Sequence, residues 1–171
     1  MKEEFVTKES AVKDVRVMAE RMAFLHFAFC DTLEKELGRE KADVIIKKSI
    51  EEYGKLAADA VMDTLAEKGM KPELLNYKYG NDLPSIGWEF GPVQMPADKP
   101  AGKISKITYC PLAATWKKLG KDGIRLGRYY CYIDQMKYKA YGPGYPCYHD
   151  KNILEGDDCC IIRCEYGDSE A

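Results

Sequence analysis

The stretch that decides the fold is residues 10–37, SAVKDVRVMAERMAFLHFAFCDTLEKEL. Its apolar side chains recur at spacings of three and four, which is the repeat of one helix face. They are Val12, Val15, Met18, Met22, Leu25, Phe29 and Leu33. Gly38 follows directly and supplies a helix stop. The stretch therefore predicts one long amphipathic helix.

A second helix is predicted over residues 41–68, with Gly69 just beyond its C-terminal end. Its apolar face consists of Ile45, Ile46, Tyr53, Leu56, Val61 and Leu65. Only Gly38, Arg39 and Glu40 separate the two helices, and so short a joint favours antiparallel packing. Residues 10–69 are therefore expected to form a helical hairpin.

Proline marks the next segment, residues 70–103, which holds five of the eight prolines of the chain. They are Pro72, Pro84, Pro92, Pro96 and Pro100. Proline and glycine at this density indicate irregular structure, with room for one strand over residues 85–90.

The region from residue 104 to residue 166 carries the remaining strands and helices. Strands are predicted at 104–109 and 158–166, a short helix at 112–119 and a longer helix at 125–140. In the last strand, Cys160, Ile162, Cys164 and Tyr166 are expected on one face, because side chains alternate along a strand.

These elements predict the α+β class: an N-terminal antiparallel helical hairpin packed on a small, mostly antiparallel sheet, with an additional helix between strands. A length of 171 residues fits a single domain, residues 1–171, large enough for a core without disulfide bonds.

Composition excludes several classes of protein. With 46% hydrophobic and 32% charged residues the chain resembles globular proteins. The net charge of −2 argues against nucleic acid as a partner, and no apolar run could span a membrane. The acidic N-terminus, MKEEF, lacks the apolar core of a signal peptide, so a cytoplasmic location is expected.

The seven cysteines are the most unusual part of the composition. None of them forms a Cys-x-x-Cys pair. In a reducing compartment they remain thiols, so metal binding, catalysis or packing must account for them. We expect about half to be packing residues.

Thiols and carboxylates are concentrated in two C-terminal motifs. The first is Gly127-Arg128-x-Tyr130-Cys131-x-x-Asp134, and the second is Leu154-x-Gly156-Asp157-x-x-Cys160-x-Ile162. On a helix, Cys131 and Asp134 would lie one turn apart on the same face. The chain has only two histidines, so cysteine and aspartate chemistry is favoured over a histidine-centred site.

With Cys110-Pro111, Trp116, Gly120 and Tyr141-Gly142-Pro143, these motifs resemble the L-2-amino-thiazoline-4-carboxylic acid hydrolase family. The resemblance covers roughly residues 104–166. It implies hydrolytic opening of a cyclic isothiourea to N-carbamoyl-cysteine.

The resemblance implies a set of site residues. Cys131, Asp134, Asp157 and Cys160 are expected to be catalytic, and Arg128, Cys110 and Tyr130 to bind the substrate. Cys131 is expected near the start of its helix, where the helix dipole stabilises a thiolate. It would serve as nucleophile or as metal ligand, with packing as the third possibility. A cofactor is either absent or a divalent metal such as zinc.

Other functions remain open at this point. A non-catalytic sensor domain that binds a small molecule or a metal is one, and a structural subunit with inert cysteines is another. Apolar residues lie all around the first helix, namely Met18, Met22, Phe24 and Phe27, so a homo-oligomer is expected.

Overall fold

Two long helices form the N-terminal part of the structure. In the computed structural model, which describes residues 5–94 and 102–166, α1 spans Lys8–Leu37 and α2 spans Arg39–Glu67. The Thr7 side chain caps α1 by accepting a hydrogen bond from the Ser10 amide. Gly38 joins the helices with a φ of +77°, a conformation that suits glycine. The predicted hairpin is confirmed.

The proline-rich segment contains short elements only. Two 3₁₀ helices, Leu74–Tyr79 and Ser85–Gly87, precede the three-residue strand β1, Glu89–Gly91. The strand predicted over residues 85–90 therefore begins four residues late and is short. The predictions for Pro96 and Pro100 lie outside the described residues.

Four strands form one antiparallel sheet. After β1 come β2, Lys103–Tyr109, β3, Cys147–Lys151, and β4, Cys160–Cys164. Their spatial order is β1-β2-β4-β3. The predicted α+β class and the predicted antiparallel sheet are confirmed, whereas β3 was not predicted.

Three helices connect β2 to β3: α3, Pro111–Lys118, α4, Gly120–Tyr130, and α5, Ile133–Ala140. The prediction of one continuous helix over residues 125–140 is wrong, because the chain turns at Cys131 and Tyr132. Cys131 thus caps the C-terminal end of α4.

Close packing fixes α5 against the hairpin. A Cβ atom added at Gly54 of α2 would lie 2.4 Å from the Cβ of Met136 on α5, so only glycine permits this approach. None of the helices in the described part of the chain has the length and apolar character that a bilayer crossing requires. That residues 1–171 form a single domain stays a prediction.

Candidate active site

A cavity of about 570 Å³ is lined by one face of the sheet and by residues of α3, α4 and α5. Its volume is typical of small-molecule sites. Strand register creates the sheet wall, since Lys103, Ser105 and Ile107 of β2 are the partners of Cys164, Ile162 and Cys160 of β4. All six line the cavity, so the face predicted for Cys160, Ile162 and Cys164 is confirmed.

Three of the predicted thiols meet in this cavity. Cys110 directly follows β2, Cys131 directly follows α4 and Cys160 begins β4, and all three residues line the same space. All seven cysteines are free thiols. The fold thus brings together sulfur atoms that are up to 50 residues apart in sequence.

Burial makes Cys131 a protonated thiol at neutral pH. Burial raises the pKa of the Cys131 thiol to about 12, and the adjacent Asn152 side chain lowers it only in part. The expected helix-dipole effect is absent, because the side chain lies at the C-terminal end of α4. Deprotonation of Cys131 therefore requires a group that accepts its proton.

Cys110 lies in the environment that was predicted for Cys131. It caps the N-terminus of α3, where its Sγ accepts a hydrogen bond from the Ala113 amide at 3.5 Å. Burial raises the pKa of this thiol, whereas the Ala113 amide and the Trp88 side chain act to lower it. Helix-terminal amide donors stabilise a thiolate, so Cys110 is the cavity thiol that a helix terminus supports.

Asp134 is held by two basic side chains. Its Oδ1 lies 3.1 Å from Lys137 Nζ and its Oδ2 accepts a hydrogen bond from His149 Nε2 at 3.0 Å. Burial alone would raise the pKa of this carboxyl, but Lys137 and His149 lower it below its usual range. Asp134 is therefore an ionised carboxylate in the cavity wall.

Lys137 is paired with two carboxylates. Besides Asp134 it contacts Asp82, with Nζ donating to Oδ2 at 2.9 Å, and its side chain is only 13% exposed. Burial would lower the pKa of its ammonium, but Asp134 and Asp82 hold it well above the usual range. The spacing of three residues between Asp134 and Lys137 on α5 is the spacing at which helical side chains form ion pairs.

His149 is buried and its tautomer is fixed by its neighbours. Its side chain on β3 is 3% exposed. Asn152 Nδ2 donates to His149 Nδ1 at 2.9 Å, while Asn152 Oδ1 accepts from the Leu154 amide. Nδ1 is therefore an acceptor, and Nε2 carries the proton donated to Asp134.

Arg128 and Asp157 are absent from the described residues that line the cavity. Arg128 Nε donates to Glu155 Oε1 at 2.6 Å, and its guanidinium stacks on the Tyr132 ring. Asp157 Oδ2 accepts a hydrogen bond from the Asn152 amide at 2.7 Å. Asp157 thus holds the loop that supplies Asn152 to His149.

Aromatic residues complete the walls. Tyr130 lines the cavity and packs on Trp116 at a centroid distance of 5.5 Å. Its hydroxyl donates to Tyr53 of α2 at 3.3 Å. Trp88 lines the space as well, so both tryptophans of the chain face it.

No group of three or more His, Cys, Asp and Glu side chains suited to a metal ion occurs within residues 5–94 and 102–166. Four such ligands, or three and a water, are what zinc takes. The described residues therefore do not present the donor set that zinc needs.

Comparison with known proteins identifies the family. The family model for L-2-amino-thiazoline-4-carboxylic acid hydrolase matches residues 16–164. The chain belongs to this family. The match extends beyond the C-terminal motifs and includes most of the helical hairpin. No curated protein and no solved structure matches the chain.

Proposed function

We propose that this protein hydrolyses 2-aminothiazoline-4-carboxylate to N-carbamoyl-cysteine, using a cysteine nucleophile and the carboxylate of Asp134. Membership of the hydrolase family supports the substrate class. The observation that carries the proposal is that Cys110, Cys131, Cys160 and Asp134 line one cavity. A thiol and a carboxylate in one enclosed space suit attack on an amidine carbon.

The first step forms a covalent adduct. The cysteine sulfur bonds to C2 of the ring, and the thiol proton moves to the ring nitrogen. The bond from C2 to the ring sulfur then breaks, the proton passes from the ring nitrogen to this sulfur, and the sulfur leaves as the thiol of the substrate. The enzyme now carries an S-linked isothiourea. The substrate nitrogen thus accepts the proton that the buried Cys131 must lose.

The second step releases the product. Water adds to the isothiourea carbon, the bond to the enzyme sulfur breaks, and the enzyme thiol regains a proton. The water oxygen becomes the carbonyl oxygen of N-carbamoyl-cysteine. One water molecule is consumed per ring opened, and no oxidant or reductant is needed.

Asp134 is suited to hold the amidinium of the substrate. It is ionised, and Lys137 and His149 fix both of its oxygens at 3.1 Å and 3.0 Å. A carboxylate held from two sides loses little freedom when a ligand binds, which increases electrostatic stabilisation. The hydrogen bond from His149 also restricts rotation of the carboxylate.

Two thiols compete for the role of nucleophile. Cys131 is favoured by its place in the family motif beside Asp134. Cys110 is favoured by the Ala113 amide that donates to its sulfur at the N-terminus of α3. We propose Cys131 as the nucleophile and Cys110 as the second candidate. If Cys131→Ser retains activity, Cys110 is the nucleophile and not a substrate-binding residue.

The other predicted residues receive supporting roles. Cys160, whose Sγ accepts from the Ile153 amide, borders the reacting ring, and Tyr130 supplies an aromatic wall. Asp157 is a positioning residue, because it acts through Asn152 and His149. Arg128 has Glu155 as its partner, so its expected contact with the substrate requires that ion pair to open.

Incubation of the purified protein with 2-aminothiazoline-4-carboxylate tests the proposal. We expect thiol release and N-carbamoyl-cysteine in the wild type, and loss of both in Cys131→Ser. Cys159→Ser is the matched control, since Cys159 directly precedes β4 and is absent from the described residues that line the cavity. Binding of the ligand without any product would support a sensor and contradict the hydrolase.

Two further expectations belong to the same proposal. The seven free thiols fit a cytoplasmic protein, because cytoplasmic thiols stay reduced. Exposed apolar side chains on α1, among them Met18, Leu25 and Phe29, support a homodimer. Their spacings of seven and four place them on one helix face. Light scattering after gel filtration should give twice the monomer mass, and Leu25→Glu should give the monomer.

A further inference from the structure

One cavity wall contains a partly buried ammonium group that no carboxylate of the described residues contacts. Lys103 lines the cavity from β2, and its Nζ lies 5.3 Å and 5.0 Å from the ring centroids of Tyr77 and Tyr138. Within residues 5–94 and 102–166 it makes no ion pair with a carboxylate; its one hydrogen bond is donated to the Tyr138 hydroxyl. An uncompensated buried charge is costly unless a ligand neutralises it.

Two phenol hydroxyls beside Lys103 also lack acceptors. Tyr138 accepts from Lys103, which leaves its own O–H free to donate. The Tyr77 hydroxyl is buried without a hydrogen-bond partner among the described residues, in a side chain that is 3% exposed. The Asp82 carboxylate lies near this hydroxyl and helps to raise its pKa, although no hydrogen bond within 3.5 Å joins the two groups. Buried donors without partners are rare and indicate a missing acceptor.

The other cations of the cavity are already engaged. Lys137 is neutralised by Asp82 and Asp134. Lys78 is exposed and lies over the Tyr79 ring. The lowered pKa of Lys103, caused chiefly by burial, agrees with an ammonium group that lacks a paired anion.

We infer that Lys103, with the hydroxyls of Tyr138 and Tyr77, binds the carboxylate of the substrate. Ammonium and phenol donors on one wall match the oxygen atoms of a carboxylate. Asp82 and Asp134 outnumber Lys137 by one charge, so these three side chains retain one negative charge for an amidinium. The cavity thus selects small zwitterions that combine a carboxylate with a cationic amidine. This assignment rests on the proposed function for its choice of ligand.

The test compares two ligands that differ only in the carboxylate. 2-Aminothiazoline-4-carboxylate and 2-amino-2-thiazoline are titrated against the intrinsic fluorescence of Trp88 and Trp116, which both line the cavity. The background is the Cys110→Ser/Cys131→Ser double variant, so that the ligand is not consumed. Lys103→Met is compared with Lys106→Met, which lies on the opposite face of the same strand.

We expect Lys103→Met to weaken binding of the carboxylate ligand roughly 10- to 100-fold, the value of a charge-assisted hydrogen bond. Binding of 2-amino-2-thiazoline should change less than about twofold, and Lys106→Met should change neither ligand. Equal weakening of both ligands, or an unchanged affinity for the carboxylate ligand, would overturn the assignment.

A measurement on the wild type removes any dependence on variants that fold poorly. Thiazolidine-4-carboxylate lacks the amidine and cannot be opened by the proposed route. It should raise the melting temperature more than its carboxamide does, and equal shifts, or none from either compound, would contradict the assignment. Carboxylate-dependent binding without hydrolysis would instead refute the hydrolase proposal and leave the assignment of Lys103 intact.

Discussion

His149 Nε2 lies 3.0 Å from Asp134 Oδ2, which joins β3 to α5 across the candidate active site. The two residues are 15 positions apart in sequence, and both side chains line the cavity. Because Asn152 Nδ2 donates a hydrogen bond to His149 Nδ1, the proton of His149 is on Nε2, which donates to Asp134. This contact orients the carboxylate on which the proposed chemistry depends.

Replacement of Asp134 by asparagine should abolish most of the activity. The change removes the negative charge proposed to hold the amidinium while it keeps the size of the side chain. We expect kcat to fall roughly 10²- to 10⁴-fold, measured as release of N-carbamoyl-cysteine. Asp150→Asn is a poor control because Asp150 pairs with the buried Arg163. Asp122→Asn is the control, because the Asp122 side chain on α4 is 68% exposed. Full activity in Asp134→Asn would contradict the role of the carboxylate.

Asp134 should also contribute to loss of stability in acid. Its pKa is lowered in the folded protein, whereas an unfolded aspartate has a pKa of about 3.9. The stabilisation that ionised Asp134 gives to the fold is therefore complete above the pKa of the unfolded state. It is lost as the pH falls through the lower pKa of the folded state. In urea unfolding, the difference in the free energy of unfolding between wild type and Asp134→Asn should become smaller below about pH 4. A difference that stays constant down to pH 2 would contradict this.

Lys137→Met should destabilise the fold strongly. It would leave Asp82 and Asp134 buried without the ammonium that both contact. Removal of one partner of a buried ion pair costs about 3–5 kcal/mol. Lys139→Met, two residues further along the same helix, is the control. Because Lys139 is exposed, this substitution should lower the free energy of unfolding by less than about 0.5 kcal/mol. Equal stability of the two variants would contradict the buried network.

Gly54→Ala should lower both stability and activity. Alanine is the better helix former by about 0.5–1 kcal/mol, but its Cβ would clash with Met136 on α5. Overpacking of this kind costs about 1–3 kcal/mol. Since α5 carries Asp134 and Lys137, the displacement should also reduce turnover. Stabilisation by Gly54→Ala would show that the two helices are not packed this closely.

The sequence could predict the parts of the fold that depend on local pattern. Gly38 and the apolar faces of residues 10–37 and 41–68 are sufficient to predict a hairpin, because helix periodicity and stop signals are local. The break at Cys131 and Tyr132 has no glycine or proline to mark it. It is set by how α4 and α5 pack on other elements, which no local pattern contains.

The polar half of the site was harder to predict. Cys131, Asp134 and Cys160 stand in motifs, whereas Asp82 and Lys137 are 55 residues apart and meet only in the folded chain. β3 is polar and short, and its strand form depends on pairing with β4. The alternation of Cys147 and His149 with outward-facing neighbours is the one signal that could have indicated it.

Alkylation should show that Cys131 is a protonated thiol, and not a thiolate, in the free protein. Burial raises its pKa to about 12, so its reaction with iodoacetamide should keep accelerating between pH 7 and pH 10. Peptide mapping by mass spectrometry gives the rate at this residue. A plateau near pH 7 would mean that Cys131 is a thiolate before the substrate binds.

Rapid-quench mass spectrometry of the wild type with one equivalent of 2-aminothiazoline-4-carboxylate tests most directly whether a cavity thiol opens the ring. We predict a transient adduct with the mass of one added substrate, on the peptide that contains Cys131, followed by N-carbamoyl-cysteine. The Cys110→Ser/Cys131→Ser variant should give neither the adduct nor the product. Product formation at the wild-type rate in this double variant would contradict thiol catalysis.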